Sequence, residues 1–204
     1  PQPVHDVTGL IRLALTRFTA RLVENEPAVI EGSDPEGVHQ ARVACRRIRS
    51  TLRTFRPVLD ETWAADLRRS LSELASRLGE IRDSEVMLDR LRRRARSHSI
   101  AEEDAERLLQ GLKEGREVSR ALLLEELRSP EYAALRERLA AASASPMVRP
   151  EAADEEPAAL LRPLVARDRR RLRKSVRRLG SKPADAELHA LRIRVKRARY
   201  SVLV

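Results

Sequence analysis

The residues most able to do chemistry are a histidine and four arginines in a row. His39, Arg42, Arg46, Arg49 and Arg53 recur every three or four positions. On a helix, at about 100° per residue, they fall within a band about 80° wide. From His39 to Arg53 this stripe is about 21 Å long, at ~1.5 Å per residue. Ala41, Ala44, Cys45, Ile48, Leu52 and Phe55 take the opposite side, so the helix has one face for a core and one of nearly pure positive charge. Cations one turn apart destabilise a helix by a few tenths of a kcal/mol per pair, and no acid interrupts the stripe. A polyanion is therefore the natural compensating partner. Arginine suits phosphate, because its planar guanidinium donates two parallel hydrogen bonds to a pair of oxygens. The helix N-terminus near His39 adds free N–H groups and the positive end of the dipole.

The chain matches itself when shifted by 150 residues. Leu10, Arg12, Arg17, Arg21 and Leu22 fall on Leu160, Arg162, Arg167, Arg171 and Leu172. His39, Arg42, Arg47 and Arg49 fall on His189, Arg192, Arg197 and Arg199, with Lys196 in place of Arg46. A second stripe, His189, Arg192, Lys196 and Arg199, is thus expected, backed by Leu188, Leu191, Val195, Ala198 and Val202. Arg194 at the apolar edge and Leu203 in place of Arg53 are departures. The shared Arg12, Arg162, Arg47 and Arg197, with Tyr200 (opposite Ser50), are accessory candidates. His5 and His98 lack this setting and are assigned no role.

The elements that must position these stripes are all helical. Leu, Ala, Arg and Glu dominate, and no strand pattern occurs. A first helix fits Leu10 to Val23, with Thr8 as cap and Glu26-Pro27 as its end. Asp34 as N-cap and Pro35 at the first helical position open a second, which runs to about Arg56 and stops at Pro57. A third covers Thr62 to Leu78 and continues past Gly79 to about Leu91; a fourth spans Ile100 to Leu127; a fifth, capped by Ser129, ends near Ala142. Residues 143–158, rich in Pro, Ala and acids, read as a linker. Helices resume from Leu160 to Leu179 and again near Asp185. The expected organisation is one all-α domain over 1–204: a first helical half at 1–142, the linker, and the start of a second half at 159–204, apparently cut short.

Charge and composition narrow the function. The net charge is +10, and residues 160–204 alone hold 15 Lys/Arg against three acids, an electrostatic footprint for an anionic partner. Cys45 is the sole cysteine, so an intrachain disulfide and a cysteine zinc site are excluded, and a cytoplasmic setting is expected. No apolar run approaches the ~20 residues of a membrane span, so no membrane partner is expected. A sequence-nonspecific RNA or DNA backbone binder is the alternative, but aromatics are only 2% of the chain and stacking platforms usually serve single strands. Glu36-x-x-His39 has the spacing of a di-iron helix motif. Its repeat partner is Ala186, and arginines crowd His39, so no metal, cofactor or catalytic residue is expected. No phosphate-cradling Gly-rich loop occurs, and Arg82-Asp83 is expected to form a structural ion pair or helix junction.

Three segments carry a family resemblance: DPEGVHQARVACRRIRSTLRTFRPVL at 34–59, LGEIRDSEVML at 78–88, and LHALRIRVKRARY at 188–200. Together they resemble the CHAD domain, an α-helical domain named for conserved histidines. That resemblance implies two helical bundles related by a pseudo-two-fold, with basic helices from both halves lining a central cavity. It also implies binding of inorganic polyphosphate, residence at polyphosphate granules, and frequent fusion to a CYTH-type triphosphatase domain. By motif, the implied binding positions are His39, Arg42, Arg46, Arg49, His189, Arg192, Lys196 and Arg199, and the two stripes are expected to face each other.

Overall fold

The computed structural model describes residues 6–32, 34–98, 100–180 and 182–202, with backbone alone at 197 and 199–202. Among these residues there are seven α-helices and no strand; one isolated antiparallel bridge joins Leu59 to Val148. The helices are α1 (Val7–Glu31), α2 (Pro35–Thr54), α3 (Glu61–Ser97), α4 (Glu102–Leu127), α5 (Pro130–Ala144), α6 (Pro157–Arg177) and α7 (Asp185–Val202), with a short 3-10 turn at Pro150–Ala152.

α1 starts earlier and ends later than its sequence suggests. Asp6, not Thr8, caps it, its carboxylate accepting the Gly9 N–H at 2.6 Å. Thr8 lies inside the helix and its hydroxyl donates to the Ala153 carbonyl. The helix also continues through Pro27, although proline removes one rung of the ladder. Two features beyond the proline offset that loss. Val29 is buried, and Arg120 of α4 clamps the helix end by donating to the carbonyls of Val29 (3.1 Å), Ile30 (2.6 Å) and Glu31 (3.0 Å). Gly32 closes the helix at φ 73°, its N–H bonded to the Ala28 carbonyl at 2.9 Å. A side chain there would run into the Arg120 guanidinium.

The other boundaries follow from caps. Asp34 accepts the Glu36 N–H at 2.8 Å at the start of α2, as expected. α2 ends slightly early, at Thr54, where the Phe55 carbonyl takes the N–H groups of Val58 and Leu59 in a turn around Pro57. Asp60 caps α3 through the Trp63 N–H at 2.7 Å, and Ser129 caps α5 through the Tyr132 N–H at 3.1 Å. α3 runs unbroken through Gly79 to Ser97, past the expected Leu91. Its buried Ala64, Leu67, Leu71, Leu74, Leu78, Ile81 and Leu88 keep a three-four spacing, the seam of a packed helix. Glu85 falls on that seam, flanked by Arg82 at 3.3 Å and Arg116 at 3.8 Å.

The 143–158 stretch begins as the last turn of α5 and is then fixed by backbone bonds. Met147 O accepts the Asp60 N–H, the Arg149 N–H reaches Val58 O, and Glu155 O accepts the Val7 N–H. The chain gathers into two compact units. One comprises Pro1–Phe18, Arg47–Arg68 and Ala140–Val204, the other Thr19–Arg46 and Arg69–Leu139. In the second, Tyr132 is buried and its hydroxyl donates to Glu26 at 3.0 Å. Burial and the adjacent Glu26 carboxylate push the phenol's pKa up.

Candidate anion-binding site

α2 carries its cations on a face set by the opposite one. Ala41, Ala44, Cys45, Ile48, Leu52 and Phe55 are each no more than 2% exposed. With that side locked into a core, His39, Arg42, Arg46, Arg49 and Arg53 are held half-buried along the other. Long side chains held this way commonly pack their aliphatic stems and leave the charged ends toward water.

In the unit formed by Thr19–Arg46 and Arg69–Leu139, the site includes a carboxylate that sequence reasoning did not place. Asp83 of α3 pairs with Arg42, Oδ1 to Nη1 at 3.0 Å. The Arg42 guanidinium lies over Gly79, where an added Cβ would stand 3.5 Å from Nη2. The LGEIRD segment thus supplies both the bare backbone under Arg42 and the charge beside it. Arg82 turns instead to Glu85, so Arg82 and Asp83 each enter an ion pair, but with different partners. Glu36 accepts from Gln40 rather than serving His39, and among the described residues no three His, Cys, Asp or Glu side chains are grouped so that they could hold a metal ion.

In the other unit, Arg47 lies over the Phe18 ring with its Cζ 5.9 Å from the centroid, and Arg17 approaches the same ring at 5.7 Å, within cation–π range. Arg53 donates to the Ser50 hydroxyl at 3.2 Å. Arg68 of α3 also belongs here and escaped sequence reasoning, because it sits on a different helix from the stripe. Burial, then the neighbouring Arg49 and Arg56, lower its pKa, and its buried Nε has no hydrogen-bond partner among the described residues. Two guanidiniums are thus close enough to oppose the charge of Arg68, the condition an anion relieves. Arg12 and Arg162 are exposed on α1 and α6.

α7 departs from expectation. His189, Arg192 and Lys196 are exposed, and so is much of the face meant for a core: Leu188 and Val195 are each 45% exposed. Leu191 and Ala198 are half-buried, and Val202 lies outside the described side chains. α7 packs on α6, and Arg194, the departure at its apolar edge, donates to the buried Ser175 hydroxyl of α6. A polar contact holds this helix where apolar burial was expected. Arg197, Arg199 and Tyr200 also lie outside the described side chains. His39 and His189 fall in different units.

Comparison with known proteins gives the family and the fold. A family model, that of the CHAD domain, matches residues 13–204. Among solved structures, PptA from Streptomyces chartreusis is similar with a TM-score of 0.76 and 22% identity, over 94% of this chain and 72% of that one. The crystal structure of the CHAD domain from the plant Ricinus communis gives a TM-score of 0.73 and 25% identity, over 99% of this chain and 68% of that one. No curated protein matches the sequence.

Proposed function

The chain belongs to the CHAD domain family, and from that premise we propose that it binds inorganic polyphosphate through its basic helix faces, without cleaving it. The observation that carries the reading is α2: four arginines and a histidine, half-buried on one face of a helix whose other face is fully packed. Guanidiniums held this way have already lost much of their rotamer freedom, so less of the binding free energy goes into ordering them. A row about 21 Å long suits an anion with charge at regular intervals along its length. No helix among the described residues is long and apolar enough to cross a membrane. Residence at polyphosphate granules and partnership with a CYTH-type triphosphatase belong to the same proposal.

Calorimetry with orthophosphate, tripolyphosphate and long-chain polyphosphate, at matched total phosphate, tests it. Linked phosphates turn later contacts into intramolecular ones, so affinity rises with chain length, by about 10²–10⁴-fold over a single unit. Equal affinity per phosphate across the series sinks the proposal, and tighter binding of single-stranded RNA of equal charge replaces it with a nucleic-acid function. Phosphate release during incubation would overturn the absence of cleavage.

A further inference from the structure

α4 turns Ala105, Leu109 and Leu123 inward, but a second apolar band on the same helix meets solvent. At about 100° per residue, Leu108, Leu112, Val118 and Leu122 fall within a band about 120° wide. Between them on that band stand only Gly111, Gly115 and Ser119. No charge interrupts it from 108 to 122, although the rest of the helix is dense in Glu, Asp, Lys and Arg. Leu108 is 76% exposed and Val118 62%. Nothing among the described residues lies within 4 Å of where a Cβ would stand on Gly111 or Gly115. Single apolar residues are ordinary on a surface, whereas a contiguous band marks a contact.

The order of residues on this band is the same in both directions. Gly115 is its centre. Three positions to either side stand Leu112 and Val118, four positions Gly111 and Ser119, and seven positions Leu108 and Leu122. Such a pattern is its own complement about a two-fold axis, where each residue meets its counterpart in reverse order. Large then lies on large and small on small, and the bare backbone at Gly115 lets two helices approach closely where they cross. The flank carries charge to match. Arg107 and Glu125 are eighteen residues apart, five whole turns, so they project to the same side about 27 Å apart along the helix. That distance forbids a pair within one chain. In an antiparallel pair centred on Gly115, Arg107 stands eight positions from the axis and the partner's Glu125 ten, on the same flank and about 3 Å apart along the helix. Arg107 now holds the exposed Glu103 at 2.6 Å, a contact that costs little to exchange. Glu125 enters no ion pair among the described residues.

We propose that α4 is a self-association surface, on which two copies of this chain pair antiparallel about a two-fold axis through Gly115. The apolar band supplies the attraction, and the Arg107–Glu125 pairs, made twice by symmetry, fix direction and register. Asp104 and Glu126, eleven positions either side of the axis, meet like to like and favour helices that diverge at their ends. One helix pair is a small contact beside the about 1,200–2,000 Å² of a standard complex, so the dimer forms at micromolar and not at nanomolar concentration. This pairing needs no anion and stands apart from the function proposed above.

Sedimentation equilibrium of the intact chain across the micromolar range, in phosphate-free buffer, tests it. A monomer–dimer equilibrium is expected. Gly115→Glu sets like charges face to face on the axis and should weaken dimerisation about tenfold or more. In the monomer the new side chain enters open space and replaces a poor helix former, so the melting point of dilute protein should hold or rise. Arg107→Glu and Glu125→Arg should each weaken the dimer several-fold, and the double variant should restore it. Because the two residues cannot meet within one chain, that rescue reports pairing between copies. Val195→Gln, on the exposed face of α7, should leave the equilibrium unchanged. A chain that stays monomeric throughout overturns the proposal and leaves this face to a helix of another protein. Dimers that survive Gly115→Glu, dimers abolished by Val195→Gln, or charge reversals that never rescue overturn it as well.

Discussion

α2 and α7 carry the same sequence design and have different surroundings. On α2 the apolar side is sealed and the cations are half-buried; on α7 Leu188, Ile193 and Val195 are exposed and so are His189, Arg192 and Lys196. An amphipathic pattern therefore specifies which face can be buried, and the partners decide whether it is. The difference matters for binding. A packed stem presents its guanidinium in few orientations, while an exposed one must be ordered by the ligand, at about 0.5–1.5 kcal/mol per side chain. The two stripes, alike in charge, are expected to contribute unequally.

The largest effect that separates them lies in stability. Ile48→Ala should cost about 2–5 kcal/mol in urea unfolding, as a buried truncation that leaves a cavity, while Val195→Ala on α7 should stay within about 0.5 kcal/mol. Similar losses at both sites would break the comparison.

Affinity comes next. Arg49→Ala should weaken long-chain polyphosphate binding by about 1.5–3 kcal/mol, the range of a charge-assisted hydrogen bond. The melting point of the empty protein should hold or rise, since Arg49 opposes Arg68. Arg192→Ala should weaken binding less than threefold. Calorimetry and melts on the two variants read both quantities, and a larger loss at Arg192 would reverse the assignment.

Two smaller changes sharpen the contrast. Asp83→Asn releases Arg42 from its carboxylate and should raise polyphosphate affinity a few-fold. Because the pair is largely exposed, the stability lost should be only about 0–1 kcal/mol. Ser175→Ala removes the partner of Arg194 and should loosen α7 by about 1 kcal/mol. Amide exchange would then quicken along α7 and stay unchanged along α2.

How far the sequence could be read differs in the same way. α2 was legible throughout because its information is local: Asp34 and Pro35 open it, Pro57 lies beyond its end, and its apolar face matches the buried set. α1 was misread at Pro27 because what carries the helix onward is Arg120, about ninety positions away. Asp83 and Arg68 were missed for a related reason. Each meets the stripe from α3, and nothing within a few residues of α2 announces them. On α7, the face that the pattern offers for a core is largely exposed, and a polar contact between Arg194 and Ser175, which no periodicity announces, ties the helix to α6. The CHAD resemblance was legible from three short motifs and holds over nearly the whole chain.

The Arg120 clamp has a consequence for any experiment done in salt. Its partners are three backbone carbonyls at the end of α1, aligned dipoles rather than mobile counter-charges. At 1 M ionic strength the Debye length falls to about 3 Å, which should displace a polyphosphate from exposed arginines. Hydrogen bonds between a guanidinium and carbonyls already in contact present added ions with little to exchange. Under the proposed function, one residue type serves two purposes, a ligand grip that brine undoes and a structural tie that brine leaves intact. A wash with concentrated salt should therefore yield ligand-free protein with α1 still fastened.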